Sequence, residues 1–306
     1  MDKKGNLWGT ATDGGQNGGG LIFKISSRGR ESTIHTFLGQ PSDGFAPYGA
    51  MVADSSGILY GTTFGGGSHG FGAVFKLAPD GTESLVYSFR GGRDGLDPFA
   101  GLIIDPQNNL YGTTDYGGKV SVCPEDFGGC GTVFRLSPSG TKTLLYKFKG
   151  PPNDGETVMS NVITDASGDF YGTTNGGGRA GCFSDKGCGV VFKLAPDGTE
   201  TVLYYFAGEK SDGSNPAAGL VEDGAGNLYG TTEFGGGVAP CNGADGCGTV
   251  FKIAPDGTET ILHFFGTGGH GATPLAGLVA DGAGNFYGTA ARGGAFGYGT
   301  VFEITP

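Results

Sequence analysis

The sequence of 306 residues predicts an all-β protein, a β-propeller of six blades with four antiparallel strands each and incomplete terminal blades. A phrase of Leu or Phe, an aromatic residue, Gly and Thr returns six times, and successive aromatic residues of this phrase stand 51 to 60 positions apart. The apolar segments are short and rich in β-branched and aromatic residues, and no helical periodicity is present. A repeat of this length indicates one supersecondary unit stacked along or around an axis.

Each full repeat contains four apolar segments, which we label strands A to D in chain order. In the fourth full copy they lie at residues 219–221, 228–232, 249–253 and 260–265. Strands A and B are joined by residues 223–227, and strands C and D by residues 255–258. Both connections are short and rich in Gly, Asn and Asp, which is typical of β-hairpins, so each repeat has the composition of a propeller blade.

We expect one propeller domain over residues 1–306, with repeat boundaries near 1–48, 49–99, 100–158, 159–217, 218–275 and 276–306. Six B, six C, five D and five intact A segments predict that the first blade lacks strand A and the last lacks strand D. A seven-bladed parent protein and a parallel β-helix are the alternatives. Because Met1 and Asp2 align with the strand end at Ala53 and Asp54, the chain is expected to begin in mid-repeat, downstream of a missing export signal.

The composition excludes several classes of partner. The net charge is −11 and only 16% of the residues are charged, which argues against nucleic acid and against anionic membrane surfaces, since both need a basic face. No apolar run approaches the roughly 18 residues of a membrane-spanning helix, so no membrane insertion is expected. The 66 glycines and 15 prolines fall at fixed repeat positions and indicate turns and close backbone contacts.

Six cysteines form three short-range pairs just ahead of strand C in three successive repeats: Cys123 and Cys130, Cys182 and Cys188, and Cys241 and Cys247. A local loop closed in the same way three times predicts three disulfides, and therefore an exported protein. Zinc binding is the alternative, but two cysteines without a third or fourth ligand nearby make a poor zinc site.

The repeat resembles the GloVer tandem-repeat family of secreted bacterial proteins, described as "choice-of-anchor" because their C-terminal sorting signals vary. The resemblance covers the whole chain and is carried by Leu/Phe-Tyr-Gly-Thr-Thr, Gly-Gly-Gly, Gly-Thr-Val-Phe-Lys-Leu and Pro-Asp-Gly-Thr-Glu. It implies an exported, extracellular or cell-surface propeller and no named catalytic residue. Unlike the family, residues 1–306 are expected to contain neither an export signal nor a C-terminal anchor.

The long B–C and D–A loops lie at the same end of each predicted blade, so binding residues are expected there. The D–A loops carry a recurring Asp-Gly at Asp43, Asp94, Asp154 and Asp212, and His270 takes the aligned position in the last copy. These side chains would form a ring around the mouth of a propeller channel and offer oxygen ligands to Ca²⁺, although no cofactor is required. The alternative is that each Asp closes its own turn.

Departures from the repeat are the better ligand-binding candidates, because residues repeated in every blade usually serve the blade itself. The candidates from the D–A loops, the innermost strands and one B–C loop are Asp154, Glu156, Asn161, Asp212, Glu222, His270 and His69. Aromatic residues such as Phe64 and Tyr116 also fall in or beside the B–C loops, and aromatic rings next to polar groups are a common way to hold sugars.

Three classes of function follow. The first is an exported, non-catalytic module that binds carbohydrate or another surface polymer through the B–C and D–A loops. The second is a polysaccharide-active or lactone-hydrolysing enzyme at the channel mouth, but the sequence shows no nucleophile–base pair and no catalytic residue is assignable. The third is an assembly protein that associates with itself through the open edges of the incomplete blades.

Overall fold

The computed structural model describes residues 1–39, 41–118, 123, 128–179, 187–208, 211–237, 246–266 and 271–306. The chain divides into two compact units, Met1–Lys147 and Phe148–Pro306, and each unit contains three antiparallel sheets of three or four strands. These sheets are the blades of a six-blade β-propeller, which confirms the predicted fold class. The one helix of the described residues is a 3-10 turn at Gly92–Asp94, and none of them forms a helix that could cross a membrane.

The first unit contains blades one to three. The strands of the first blade are β1 (Leu7–Ala11), β2 (Leu21–Ile25) and β3 (Glu31–Thr36), followed by the short β4 (Gly44–Phe45). Those of the second blade are β5 (Val52–Ala53), β6 (Leu59–Thr63), β8 (Ala73–Leu77) and β9 (Glu83–Ser88), with the short β7 (Gly65–Gly66) between β6 and β8. Those of the third blade are β10 (Ile103–Ile104), β11 (Leu110–Thr114), β12 (Thr132–Leu136) and β13 (Lys142–Lys147).

The second unit contains blades four to six and starts with the short β14 (Gly155–Glu156). The strands of the fourth blade are β15 (Ile163–Thr164), β16 (Phe170–Thr174), β18 (Val190–Leu194) and β19 (Glu200–Tyr205), with the short β17 (Gly176–Gly177). The short β20 (Gly213–Ser214) precedes the fifth blade, which has β21 (Val221–Glu222), β22 (Leu228–Thr232), β24 (Thr249–Ile253) and β25 (Glu259–Phe264), with the short β23 (Phe234–Gly235). The sixth blade has β26 (Val279–Ala280), β27 (Phe286–Ala290) and β28 (Thr300–Ile304).

The aspartate that follows strand A explains why an aromatic residue, usually tyrosine, recurs in the repeated phrase. In the third blade, one carboxylate oxygen of Asp105 accepts hydrogen bonds from the backbone N–H groups of Gln107 and Asn109, at 2.9 and 2.8 Å. The other oxygen accepts a hydrogen bond from the Tyr111 hydroxyl at 3.0 Å. The aspartate therefore closes the A–B turn and anchors the tyrosine on strand B, and equivalent contacts recur in the other blades.

The glycine of the phrase makes room for a phenylalanine on strand C. Gly172 pairs across the sheet with Phe192, and a Cβ at Gly172 would lie 2.7 Å from the end of the Phe192 ring. The same Gly–Phe pair is present in all six blades. Because these phenylalanine rings are largely buried, the glycine is required for packing as well as for backbone freedom.

Each of these phenylalanines, from the second blade onward, also meets a phenylalanine that follows strand D of the preceding blade. The rings are edge-to-face, with centroids 4.9 to 5.2 Å apart. The pairs are Phe37–Phe75, Phe89–Phe134, Phe148–Phe192, Phe206–Phe251 and Phe265–Phe302. Within each unit, one aromatic contact per junction thus joins neighbouring sheets.

The terminal blades have three strands each, as the repeat count predicts. The first blade begins at strand B and the last ends at strand C. Val279 and Val301 of the last blade are 68% and 79% exposed, so apolar side chains flank this sheet. Self-association through these edges stays a prediction.

Substituting Ala for Gly172 is expected to lower the free energy of unfolding by about 1–3 kcal/mol, because the new methyl group must displace a buried ring. Chemical denaturation measures this change. Gly224→Ala is the matched control, since Gly224 is exposed in a turn and a Cβ there meets nothing within 4 Å. Equal stability of the two variants would contradict the packing role of Gly172.

Candidate functional site

The B–C and D–A loops meet in small two-stranded sheets, which the sequence did not predict. β4 pairs with β7, β14 with β17, and β20 with β23, each over two residues. In the second pair, a Cβ at Gly177 would meet the backbone of residues 154–156, so the two loops approach as closely as glycine permits. Side chains from both kinds of loop are thereby brought to one end of each blade.

Three aromatic residues of these loops are in ring contact in the first unit: Tyr48, Phe64 and Phe99. Together with Phe45, which lies in the same D–A loop as Tyr48, we call them the aromatic patch. Tyr48 and Phe99 are stacked, with ring centroids 4.4 Å apart and an interplanar angle of 21°. Phe64 meets both rings edge-on, at 5.8 Å from Tyr48 and 6.4 Å from Phe99. Phe45 packs against Gly65, next to Phe64.

The aromatic patch is accessible, since Phe45 and Tyr48 are 44% and 46% exposed. Partly exposed aromatic rings on rigid loops can stack on apolar faces of a ligand at low cost in conformational entropy. The sequence pointed to Phe64 alone. Tyr48 and Phe99 were missed, although each follows a proline at the same position of its D–A loop, and that spacing was the available signal.

The repeated aspartates of the D–A loops bond to their own loops. Asp43 accepts hydrogen bonds from the backbone N–H groups of Leu38 and Gly44, at 2.8 and 2.7 Å. Asp154 and Asp212 accept the equivalent pairs, and Asp94 accepts one from the Arg90 N–H. Asp43, Asp154 and Asp212 are buried, so these carboxylates close turns inside the loops.

Asp43, Asp94 and Asp212 each also face a side chain from strand D of the same blade and one from strand D of the next blade. We call these groups of three junction clusters. In one, the Tyr204 hydroxyl lies 3.2 Å from a carboxylate oxygen of Asp212 and 3.1 Å from one of Glu259. The phenol proton is therefore shared between two carboxyl groups that would otherwise repel each other.

Two further junction clusters lie among the described residues of the first unit, and they consist of different side chains. In one, the Tyr87 hydroxyl donates to Asp94, and the Lys142 ammonium lies 3.1 Å from a carboxylate oxygen of Asp94 and also donates to its carbonyl oxygen. In the other, Nε2 of His35 lies 3.4 Å from a carboxylate oxygen of Asp43, and Glu83 completes the group. The clusters thus occupy equivalent positions in their blades, but the side chains that form them differ from one cluster to the next.

Burial and the nearby aspartate charge raise the pKa of the glutamate in two of these clusters. They raise the pKa of Glu83 to about 7 and hold the pKa of Glu259 above its usual range. Burial also raises the pKa of Tyr204, and the charges of Asp212 and Glu259 add to this shift. The ring of His35 also packs edge-on against Phe37, in addition to its contact with Asp43.

The remaining predicted ligand-binding residues do not form one group. Glu156 is buried in β14, and Asn161 packs against Gly219 of the next blade. Glu222 ends β21 beside the A–B turn, at the opposite end of its blade from the D–A loop. His69 is exposed and hydrogen-bonds Ser68, whereas His270 lies outside the described residues.

One position of each D–A loop has a left-handed backbone, with φ between 54° and 62°. It is occupied by Ala46, Asp97, Thr157, Asn215 and Thr273. At Asp97 the conformation is held on both sides, because its N–H donates to the Phe71 carbonyl and its own carbonyl accepts from the Asp115 N–H, both at 3.1 Å. Burial raises the pKa of Asp97 to about 6, and the contact with Asp115 brings a second carboxyl group to the same loops.

The loops are further tied by disulfides. Cys123 and Cys130 are bonded, with Cα atoms 5.3 Å apart. Cys188 and Cys247 are buried and also disulfide-bonded, and their predicted partners Cys182 and Cys241 lie outside the described residues. The described part of the chain contains no free cysteine.

The sequence matches the Gloeobacter/Verrucomicrobia repeat over residues 1–240 and again over residues 126–306, and the two matches together take in the whole chain. The chain belongs to this repeat family. The resemblance drawn from the motifs is therefore confirmed, and the glycines, tyrosines and phenylalanines described above are the residues on which the repeat is built. No protein of curated function matches the sequence.

Several solved structures share the fold. A streptogramin B lyase structure is 15% identical, with a TM-score of 0.57 over 94% of this chain and 73% of the lyase chain. A luciferin-regenerating enzyme is 12% identical, with a TM-score of 0.53 over 99% and 88%. A protein provisionally assigned as a gluconolactonase is 15% identical, with a TM-score of 0.50 over 93% and 80%. At these identities the likeness establishes the propeller fold and no activity.

Replacing Glu259 with Gln is expected to stabilise the protein at about pH 8 and to leave its stability unchanged at about pH 4. Because the pKa of Glu259 is raised on folding, the stability that comes with its proton is present below its unfolded pKa and is lost as the pH rises through its folded pKa. Urea denaturation at several pH values measures the difference between the variant and the parent protein. Glu303→Gln, at an exposed glutamate of the last blade, is the control, and a difference that does not change with pH would contradict the assignment.

Proposed function

We propose that the protein is an exported, non-catalytic module that binds carbohydrate through the aromatic patch. The observation that carries the proposal is the stacked pair of Tyr48 and Phe99, which Phe64 contacts edge-on. The ring of Phe45, three residues before Tyr48, is exposed as well. Sugar rings present apolar C–H faces that stack on such aromatic surfaces, while polar groups at the rim fix their orientation.

The position of the patch supports this role. Its four residues come from three loops of neighbouring blades, and two of those loops are joined by backbone pairing between β4 and β7. A site held by a rigid scaffold loses little entropy when it binds a ligand. The net charge of −11 favours a neutral or cationic polymer over an anionic one.

The disulfide bonds of the loops support export. Disulfides persist in oxidising compartments and are rare in the cytosol. Cys123, Cys130, Cys188 and Cys247 are all disulfide-bonded. A protein outside the cell would meet polysaccharides of cell walls and matrices, which are the ligands proposed for the aromatic patch.

Tyr48→Ala is expected to weaken binding about tenfold, since removal of one stacked ring costs about 1–1.5 kcal/mol. The protein is incubated with insoluble plant, fungal and bacterial polysaccharides, and its depletion from solution is measured together with newly released sugar ends. Tyr298→Ala removes a ring that is 93% exposed and lies outside the patch, so it serves as the control. Depletion that is equal for all three proteins would place binding elsewhere, and no depletion by any polysaccharide would refute the proposal.

A second candidate function is hydrolysis of a sugar polymer or a lactone near Asp97. The observation that favours it is a half-buried carboxyl group with a pKa of about 6, held in a left-handed backbone conformation next to Asp115. A general acid works best when its pKa lies near the working pH, and two carboxyl groups can divide the acid and base roles.

The same incubation separates the two functions. A binding module depletes without releasing sugar ends, whereas an enzyme releases them and loses that release in Asp97→Asn. The substitution keeps the left-handed backbone, which Asn adopts readily, and removes only the titrating group. Unchanged release in Asp97→Asn would exclude Asp97 as the catalytic acid.

A further inference from the structure

Three side chains with metal-binding atoms converge where the first blade meets the second. His35 lies on β3, Asp43 lies in the loop that follows β3, and Glu83 begins β9. One ligand atom from each residue lies within 4.8 Å of the other two, and Nε2 of His35 lies 3.4 Å from a carboxylate oxygen of Asp43. Asp43 is buried, and the other two side chains are partly buried.

We propose that this junction cluster binds a divalent transition-metal ion, with Zn²⁺ as its best fit, and that the ion clasps the first two blades together. One imidazole nitrogen and two carboxylate oxygens are a donor set that Zn²⁺ accepts, with water in the fourth position. The inference is independent of the aromatic patch.

The spacing of the ligand atoms suits a tetrahedral ion. With ligand bonds of about 2.0–2.1 Å, ligand atoms of a tetrahedral zinc site lie about 3.3 Å apart. His35 and Asp43 already have this separation, at 3.4 Å. Glu83 has to approach by at most about 1.5 Å, which a rotation of its long side chain supplies.

The surroundings of the cluster orient its members. The Asp43 carboxylate is fixed by the backbone N–H groups of Leu38 and Gly44, as carboxylate ligands of metals usually are. The edge-on contact with Phe37 restrains the ring of His35. Oxygen Oε1 of Glu83 is buried and lacks a hydrogen-bond partner, which is costly unless a proton or a cation sits against it.

The same chain contains a natural comparison where the fourth blade meets the fifth. In the cluster of Tyr204, Asp212 and Glu259, a phenol takes the place of the imidazole and donates to both carboxyl groups. Oε1 of Glu259 also lacks a partner, but Oε2 accepts from Tyr204 at 3.1 Å. A neutral phenol is a weak metal ligand, so the two clusters should differ in metal binding through one side chain.

The cluster of Tyr87, Asp94 and Lys142 already contains a cationic side chain, since the Lys142 ammonium contacts Asp94. Among the clusters that the described residues complete, only that of His35 therefore offers three ligand atoms suited to a transition metal. Ca²⁺ needs six to eight oxygen ligands, which this cluster does not supply, so Ca²⁺ is the comparison ion.

The test uses the whole chain after chelator treatment and exhaustive dialysis. Zn²⁺ and Ca²⁺ are titrated separately by calorimetry, and bound metal is counted by elemental analysis after gel filtration. The variants are His35→Tyr, which copies the cluster of Tyr204, Glu83→Gln, which keeps the shape of the side chain but removes a charged ligand, and Tyr204→His, which copies the cluster of His35. His69→Ala controls for zinc held by an exposed histidine.

We expect one zinc per chain in the parent protein and in His69→Ala, none in His35→Tyr, at least tenfold weaker binding in Glu83→Gln, and two zinc ions in Tyr204→His. Thermal unfolding of the parent protein should shift upward with added Zn²⁺ and not with Ca²⁺, because an ion that binds only the folded state stabilises it. Absence of stoichiometric zinc in the parent protein, or its full retention in His35→Tyr, would overturn the proposal. Circular dichroism confirms that each variant is folded.

Discussion

The contact between a phenylalanine on strand C and a glycine on strand B is the constraint on which the other features of this protein depend. It lets the ring lie over the glycine backbone and reach the phenylalanine of the preceding blade, as Phe192 does with Gly172 and Phe148. Full burial of each such ring is worth about 1.5–3 kcal/mol, so the set of aromatic contacts is a large share of what joins the sheets. The loops at the blade ends do not have to hold neighbouring sheets together, so their side chains can vary.

The blades could be predicted from the sequence because their signals are local and periodic. The turn aspartate, the aromatic residue and the glycine lie within about ten positions of one another, and each recurs at a fixed interval. The junction clusters could not be predicted in the same way, because His35 and Glu83 belong to different repeats and meet only when two blades pack. The aromatic patch was missed for a related reason, since Tyr48 and Phe99 occupy one repeat position in adjacent blades and read separately as ordinary loop residues.

Repetition and divergence have separate roles in this chain. The D–A aspartates recur because the loop needs a carboxylate to bind its own N–H groups, and the structure shows them doing this at Asp43, Asp154 and Asp212. Their neighbours differ, with His35 or Tyr204 on one side and Glu83 or Lys142 on the other. The binding or titration properties of one junction cluster therefore depend on the side chains that vary between clusters, while the aspartate and its loop stay the same.

The left-handed position of the D–A loops carries a consequence for how such a protein can change. Ala, Asp, Thr and Asn all adopt the same φ there, although the conformation is unfavourable for Thr and Ala by about 1–3 kcal/mol. The paired hydrogen bonds on either side, and not the residue itself, must impose that backbone. A residue at this position can then be substituted without a change in the backbone path. Each D–A loop therefore has one site where heritable variation alters the side chains of the loops and leaves the propeller fold intact.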